Sequence, residues 1–297
     1  MNKKTHRLLI VGAGVIGSVY ALRLLQSGAD ITLLARGERL NDLRRHGLRY
    51  NENGDVKQVP VQTIGKLEPS DRYDYILVPV RYDQAESALA DLRRNDSPTI
   101  VTLTNTVGYD AWTQIVGDRL LPGFPGAGGD IKNGVLHARF GSDPQQGTYI
   151  GEISGQITER VRELAGIFET AGLHVNIETD ILAFHVSHTA LAAVNKHFYT
   201  EDGMVDADTA KSDPVLSRIA ADIKRNLRWV ERAGIAVIPS DTKRMGELTE
   251  KEIMALYREM LSSDFILDVK LGRHAVKARP EIMLLDEHFR KKLSASF

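Results

Sequence analysis

Cysteine is absent from the 297 residues. That excludes disulfides, thiolate metal ligands and cysteine nucleophiles, and it fits a reducing compartment. Long apolar runs are missing too. No stretch approaches the roughly 20 residues that a bilayer-spanning helix needs, so no membrane association is expected. The basic start MNKKTHR is followed by an apolar run only one strand long, broken at Gly12, which does not fit a secretory signal. A cytoplasmic protein is expected. Excess charge of one sign is also lacking: the formal net charge is −1. Nucleic-acid binding would need a local basic patch, and the cluster RRHG at 44–47 reads as a solvated helix end. The nine histidines show no i, i+4 pair backed by an acid. His185 and His188 share a helix at three-residue spacing without a third ligand, so no metal is expected. The remainder is ordinary for a globular chain, 42% hydrophobic and 26% charged, and long enough to bury a core without staples.

The first half alternates strand and helix signals. RLLIV (7–11), ITLLA (31–35), YDYILVPV (73–80) and TIVTL (99–103) are short apolar runs. Runs that do not alternate suit strands covered on both faces. Between the first two, Val15, Val19, Leu22 and Leu25 recur at helical spacing up to Gly28. Strand alternating with helix predicts a parallel α/β sheet. From about 157 the pattern turns helical, after one closing strand in LHVNIET. Ser212-Asp213-Pro214 starts a helix whose apolar face is Leu216, Ile219, Ile223, Leu227 and Val230. Thr249 and Glu252 have capping-box spacing, and two further striped segments are expected near 261–277 and 280–294. The apolar stripes could serve an intramolecular core or a homodimer. The expected architecture is an N-terminal Rossmann-type doubly wound parallel sheet over 1–178, then an all-α domain over 179–297. The glycine-rich stretch 122–134, PGFPGAGGDIKNG, is expected to be a loop lining a site.

VGAGVIGS places Gly12, Gly14 and Gly17 in G-x-G-x-x-G spacing, after a strand and at the opening of a helix. In that context Gly12 permits the tight turn and Gly14 admits a pyrophosphate. Gly17 lets the helix pack closely on the strand. Val15 and Ile16 form the helix N-terminus that an anion would face. An acid about 20 residues on would bind the ribose 2′-hydroxyl of NAD. This chain has Arg36 there, 19 positions after Gly17. A guanidinium suits a 2′-phosphate, so the cofactor expected is NADP (NADPH). Arg39 is either a helper or plain loop charge.

With these residues in place the chain resembles the ketopantoate reductase (2-dehydropantoate 2-reductase) family. LLIVGAGVIGSVYALRL resembles its first strand, turn and helix, and Arg36 its phosphate-binding arginine. YDYILVPVRYDQ resembles a strand that ends in lysine with a glutamine three residues on; here Arg81 replaces the lysine and Gln84 is kept. TNTVGYD resembles an asparagine-glycine turn, with Asn105 kept and Thr106 for the glycine. GTYIGE (147–152) resembles a later strand. The resemblance implies hydride transfer from NADPH to the ketone of a 2-oxo acid, the reductive step of pantothenate biosynthesis.

That reaction needs a proton donor, and the resemblance implies a lysine followed by two asparagines on the first helix of the second domain. In ILAFHVSHTALAAVNKHFY, aligning Phe184 with the family's tryptophan puts Val186 at the lysine and Ala190 and Val194 at the asparagines. Shifting by one places Asn195 on the second asparagine but Ser187 on the lysine. No register restores all three. His188 is then either the donor or an ordinary helix histidine. Lys196 is either a donor or a solvated helix-end lysine. Asn105 would orient the carbonyl or the nicotinamide, and Arg81 would hold a substrate carboxylate. Asn195, Ser262 and Ser263 are further expected substrate contacts, and Asp268 matches the aspartate that follows the family's serines. The family's glutamate falls near Val276. Three functions stay open: a carbonyl reductase, an imine or opine-type dehydrogenase, and a catalytically silent NADP-binding sensor. The partner expected is a small carbonyl substrate, not nucleic acid.

Overall fold

The computed structural model describes residues 6–140, 147–263, 267, 271 and 273–294. They divide into two compact units, one of Met1–Thr104 with Tyr109–Ile181, the other of Asn105–Gly108 with Leu182–Phe297.

The first unit runs β1 (Arg7–Val11), α1 (Val15–Gln26), β2 (Asp30–Leu34), α2 (Gly37–His46), β3 (Leu48–Glu52), β4 (Asp55–Val59), β5 (Gln62–Ile64), β6 (Tyr75–Val78), α3 (Tyr82–Asp91), β7 (Ile100–Leu103), α4 (Asp110–Val116), β8 (Leu120–Phe124), β9 (Ala127–Lys132), β10 (Val135–Phe140), β11 (Thr148–Ile150), α5 (Glu159–Thr170) and β12 (Val175–Ile177). Its main sheet has the order β12-β11-β8-β7-β6-β1-β2-β5. All neighbours are parallel except β8 and β11. Parallel strands need crossovers, and α1, α3 and α4 supply them. Leu8, Leu9 and Ile10 have no exposed surface at all; a strand covered on both faces has no polar side to alternate with. The strand order reverses between β1 and β6, which is where ligands bind in such sheets.

A second sheet, β4-β3-β10-β9, was not expected from the sequence. Its two hairpins turn at Asn53-Gly54 and Asn133-Gly134, all four residues with positive φ. Asn-Gly is the dipeptide that such two-residue turns favour. The glycine-rich stretch 122–134 is accordingly not a loop, because most of it is strand, in β8 and β9. Its glycines permit close backbone approach: a Cβ on Gly123 would lie 2.8 Å from the Tyr149 carbonyl oxygen.

The second unit is helical: α6 (Ile181–Ala192), a 3₁₀ segment (Ala193–Phe198), α7 (Ala207–Ala210), α8 (Asp213–Arg232), α9 (Ser240–Glu247), α10 (Glu250–Met260) and α11 (Arg273–Ser294). Ser212 and Pro214 start α8, and its stripe Leu216, Ile219, Ile223, Leu227 and Val230 is buried with Val186, Phe198 and Phe289 inside this unit. The Thr249–Glu252 capping box opens α10. Pro280 lies inside α11 and does not open a helix of its own. No helix among the described residues is long and apolar enough to cross a membrane.

Candidate functional site

In the first unit the carboxyl ends of β1, β2 and β6 surround a cavity of about 590 Å³, lined among others by Gly12, Gly14, Arg36 and Gln84. Its floor is the glycine turn. Gly12 has φ +101°, which glycine alone adopts readily. Its N–H donates to the Leu34 carbonyl at 2.9 Å, tying the turn to β2. Gly17 sits behind the turn: a Cβ there would fall 2.0 Å from the Gly12 carbonyl oxygen. Gly14 differs, because a Cβ on it would meet no protein atom within 4 Å. The fold itself does not demand glycine at 14. A ligand pressed against the backbone there would. Val15 and Ile16 begin α1, where the first N–H groups lack intrahelical acceptors and favour an anion. This cradle fits the pyrophosphate of a dinucleotide.

Arg36 is the residue from which α2 starts, 74% exposed, and its Nη2 donates to Asp91 Oδ2 at 2.8 Å. Arg39 is not plain loop charge. Its Nε donates to the Ala13 carbonyl at 3.2 Å, and its Nη atoms reach Asp42, Ser18 and the Gly134 carbonyl. The guanidinium therefore braces the glycine turn, and its burial lowers its pKa. Arg81 precedes α3 and pairs with Asp83 through Nε and Nη2 at 3.0 and 3.1 Å. Asp83, Ser87 and Asp91 also line the cavity. Sequence reading passed over all three, although their i, i+4, i+8 spacing from the end of β6 was visible.

In the second unit, His188 Nδ1–H donates to Asn105 Oδ1 at 2.8 Å. Phe184 stacks on the His188 ring at 6.1 Å and 22°. Asn105 belongs to a four-residue strap that Thr189 fastens from α6, donating to the Thr106 carbonyl, and Lys292 from α11, donating to the Val107 carbonyl. Thr106, in the place of the family's glycine, bonds Gly108 at both its carbonyl and its N–H. Val186 and Val194 are wholly buried apolar core. Ser187 donates to the Ala236 carbonyl and accepts from Ile238 N–H, a packing role. Neither register thus offers a proton donor at the lysine position.

Lys196 is not a solvated helix-end lysine. Its side chain is 10% exposed and lies 2.8 Å from Asp222 and 2.7 Å from Asp286. Burial pushes the Asp222 carboxyl upward, but hydrogen bonds from His197 and Lys196 prevail and hold it well below the usual range. Asn195, next to Lys196 in the 3₁₀ segment, is half-buried. Ser262 donates back to the Arg258 carbonyl at 2.9 Å, an i−4 bond at a helix end, and Ser263 is exposed beside it. Val276 is 46% exposed, and Asp268 lies outside the described residues. Among the described residues no cluster of three or more histidines and acids could hold a metal ion.

His185, buried beneath Phe184, is pushed down to about 3 by desolvation and by the charge of His188. An unfolded chain's imidazole titrates near 6.5. Between the two values only the unfolded state takes up this proton, so folding stability falls as pH drops below about 6.5. From pH 7.5 to 5.0 the loss from this one group is roughly 2 kcal/mol. Urea unfolding of wild type and His185→Leu at both pH values measures it. Equal pH dependence in the two proteins sinks the assignment.

Comparison with known proteins follows the same lines. The family model of ketopantoate reductase (PanE/ApbA) matches residues 8–155. The chain is 27% identical over 209 residues to the 2-dehydropantoate 2-reductase of Mesorhizobium japonicum, covering 59% of this chain and 60% of that one. It is 26% identical over 180 residues to the enzyme of the same name from Archaeoglobus fulgidus, covering 60% and 58%. The chain thus spans about three fifths of the length of these relatives. Among solved structures, the ternary structure of D-mandelate dehydrogenase with NADH and anilino(oxo)acetate aligns over 98% of this chain and 99% of that chain, with a TM-score of 0.69 at 18% identity. At that identity the likeness is one of fold.

Proposed function

The chain belongs to the ketopantoate reductase family of oxidoreductases, and on that premise we propose that it is an NADPH-dependent reductase of a 2-oxo acid such as 2-dehydropantoate. The observation that carries the reading is the space over Gly14, open to a ligand at the N-terminus of α1 with Arg36 on the same cavity. When bound, the reduced nicotinamide supplies a hydride to the carbonyl carbon. The remaining work falls to the chain. The Gly12–Gly14 turn and the first N–H groups of α1 hold the pyrophosphate, and Arg36 holds the 2′-phosphate. Arg81 offers a guanidinium to the substrate carboxylate. As hydride reaches the carbon, the carbonyl oxygen takes a proton and the product is the 2-hydroxy acid. His188 is the donor in this reading. The donor is the imidazolium: Asn105 accepts from Nδ1–H, the Nε2–H proton passes to the carbonyl oxygen, and the neutral Nδ1–H ring is left behind.

A second reading, a dinucleotide-binding sensor without turnover, has one observation in its favour: the lysine position is filled by Val186, buried in the core. An imine or opine-type dehydrogenase would share the cofactor cradle and rely less on that lysine. The experiment is to mix the protein with NADPH and follow nicotinamide absorbance with 2-dehydropantoate, other 2-oxo acids and cyclic imines. Turnover with a 2-oxo acid is expected. Tight NADPH binding without turnover of any 2-oxo acid refutes the reductase.

A further inference from the structure

Arg36 meets an acid of its own chain. Its Nη2 donates to Asp91 Oδ2 at 2.8 Å, from a position 55 residues away. Both residues line the dinucleotide cavity, Arg36 after β2 and Asp91 as the last residue of α3. Their side chains are 74% and 60% exposed, so a ligand can reach either one. The same face of α3 carries a second carboxylate, Asp83, but that one is matched by Arg81 within its own turn. Asp91 is matched by the arginine that the 2′-phosphate needs.

The two forms of the dinucleotide meet this pair differently. A 2′-phosphate must share the Arg36 donors with Asp91 and lie close to a like charge. A 2′-hydroxyl is a donor, and a carboxylate accepts from it. In sheets of this type an acid at the end of the second strand performs that role; here Arg36 follows β2 and the carboxylate arrives from α3. We propose that Asp91 determines cofactor specificity: it competes with the 2′-phosphate for Arg36 and accepts from the 2′-hydroxyl, so that the site takes NADH as well as NADPH. The inference rests on the proposed dinucleotide reading and deepens it.

An exposed ion pair of this kind shifts an equilibrium by a factor of roughly 1.5 to 5, and repulsion of the phosphate adds to it. Asp91→Asn is therefore expected to tighten NADPH binding about three- to tenfold and to weaken NADH binding about two- to fivefold. The NADPH gain shrinks as ionic strength rises, because exposed charges are screened. The variant will fold, because a negative charge in the last turn of a helix opposes the helix dipole. Titration calorimetry with NADPH and NADH on wild type and Asp91→Asn, in low and high salt, decides the matter without turnover. A rise in the NADPH-to-NADH affinity ratio bears the inference out. Binding of both with an unmoved or reversed ratio overturns this inference alone. Binding of neither dinucleotide to wild type overturns it together with the proposed function.

Discussion

Gly14→Ala is expected to lower dinucleotide affinity roughly 10- to 100-fold while leaving the fold nearly as stable as before. The affinity figure follows from losing one charge-assisted hydrogen bond to phosphate, about 1.5–3 kcal/mol. The stability figure follows from the space around the residue. A Cβ at 14 meets no protein atom within 4 Å, so the fold loses only about 0.5–1 kcal/mol of capping preference. Gly17→Ala is the control with the opposite balance. Its Cβ would stand 2.0 Å from the Gly12 carbonyl oxygen, and neither backbone can yield without moving α1 from β1. The cost is expected at or above the roughly 1–3 kcal/mol of ordinary overpacking, visible in the melting midpoint without any ligand. Thermal melts of both variants with and without NADPH separate the two roles. A Gly14→Ala protein as destabilised as Gly17→Ala would mean that position 14 serves the fold and not a ligand.

His188→Ala is expected to reduce kcat by about 10²–10⁴, the usual contribution of a positioned acid, with NADPH affinity unchanged. The imidazole is held at three points: Nδ1 by Asn105, one ring face by Phe184, and the helix by Thr189 on the Thr106 carbonyl. A ring fixed in this way, when it carries a proton on both nitrogens, presents Nε2–H alone as the donor. Asn105→Ala should therefore slow turnover as well, by a smaller factor of about ten, since it frees the ring without removing it. Steady-state rates with saturating NADPH and 2-oxo acid test the assignment. Full activity in His188→Ala would transfer the proton to another group.

The dinucleotide half was legible because its signals are local. Strand, glycine turn, helix and Arg36 fall within thirty consecutive residues (7–36), and the glycine at 17 is required by Gly12 and Ile10 of the same motif. The second sheet was missed for the opposite reason. β4 is almost wholly exposed, so it carries no apolar period, and β3 pairs with β10 across more than eighty residues. Its two Asn-Gly turns were present in the sequence and could have revealed it. Glycines at 123–134 suggested a loop where they serve close packing between strands. The role of Arg39 depends on Ala13, Ser18 and Gly134, which no spacing rule connects. Lys196 looked free because its two carboxylates lie 26 and 90 positions further along the chain. On α6, motif alignment indicated what was lost at Val186 and pointed to His188; the bond to Asn105 and the burial of His185 separate the two histidines in the structure.

The strap Asn105–Gly108 makes the second unit discontinuous in the gene. A fragment encoding 182–297 would lack Val107, which is 7% exposed and part of the helical core, and the carbonyl that receives Lys292. A fragment ending at 181 would carry those four residues away from the helices that hold them. A single cut at the boundary therefore cannot yield two intact modules. Shuffling this helical half onto another dinucleotide-binding half requires carrying the four-residue insert along with it.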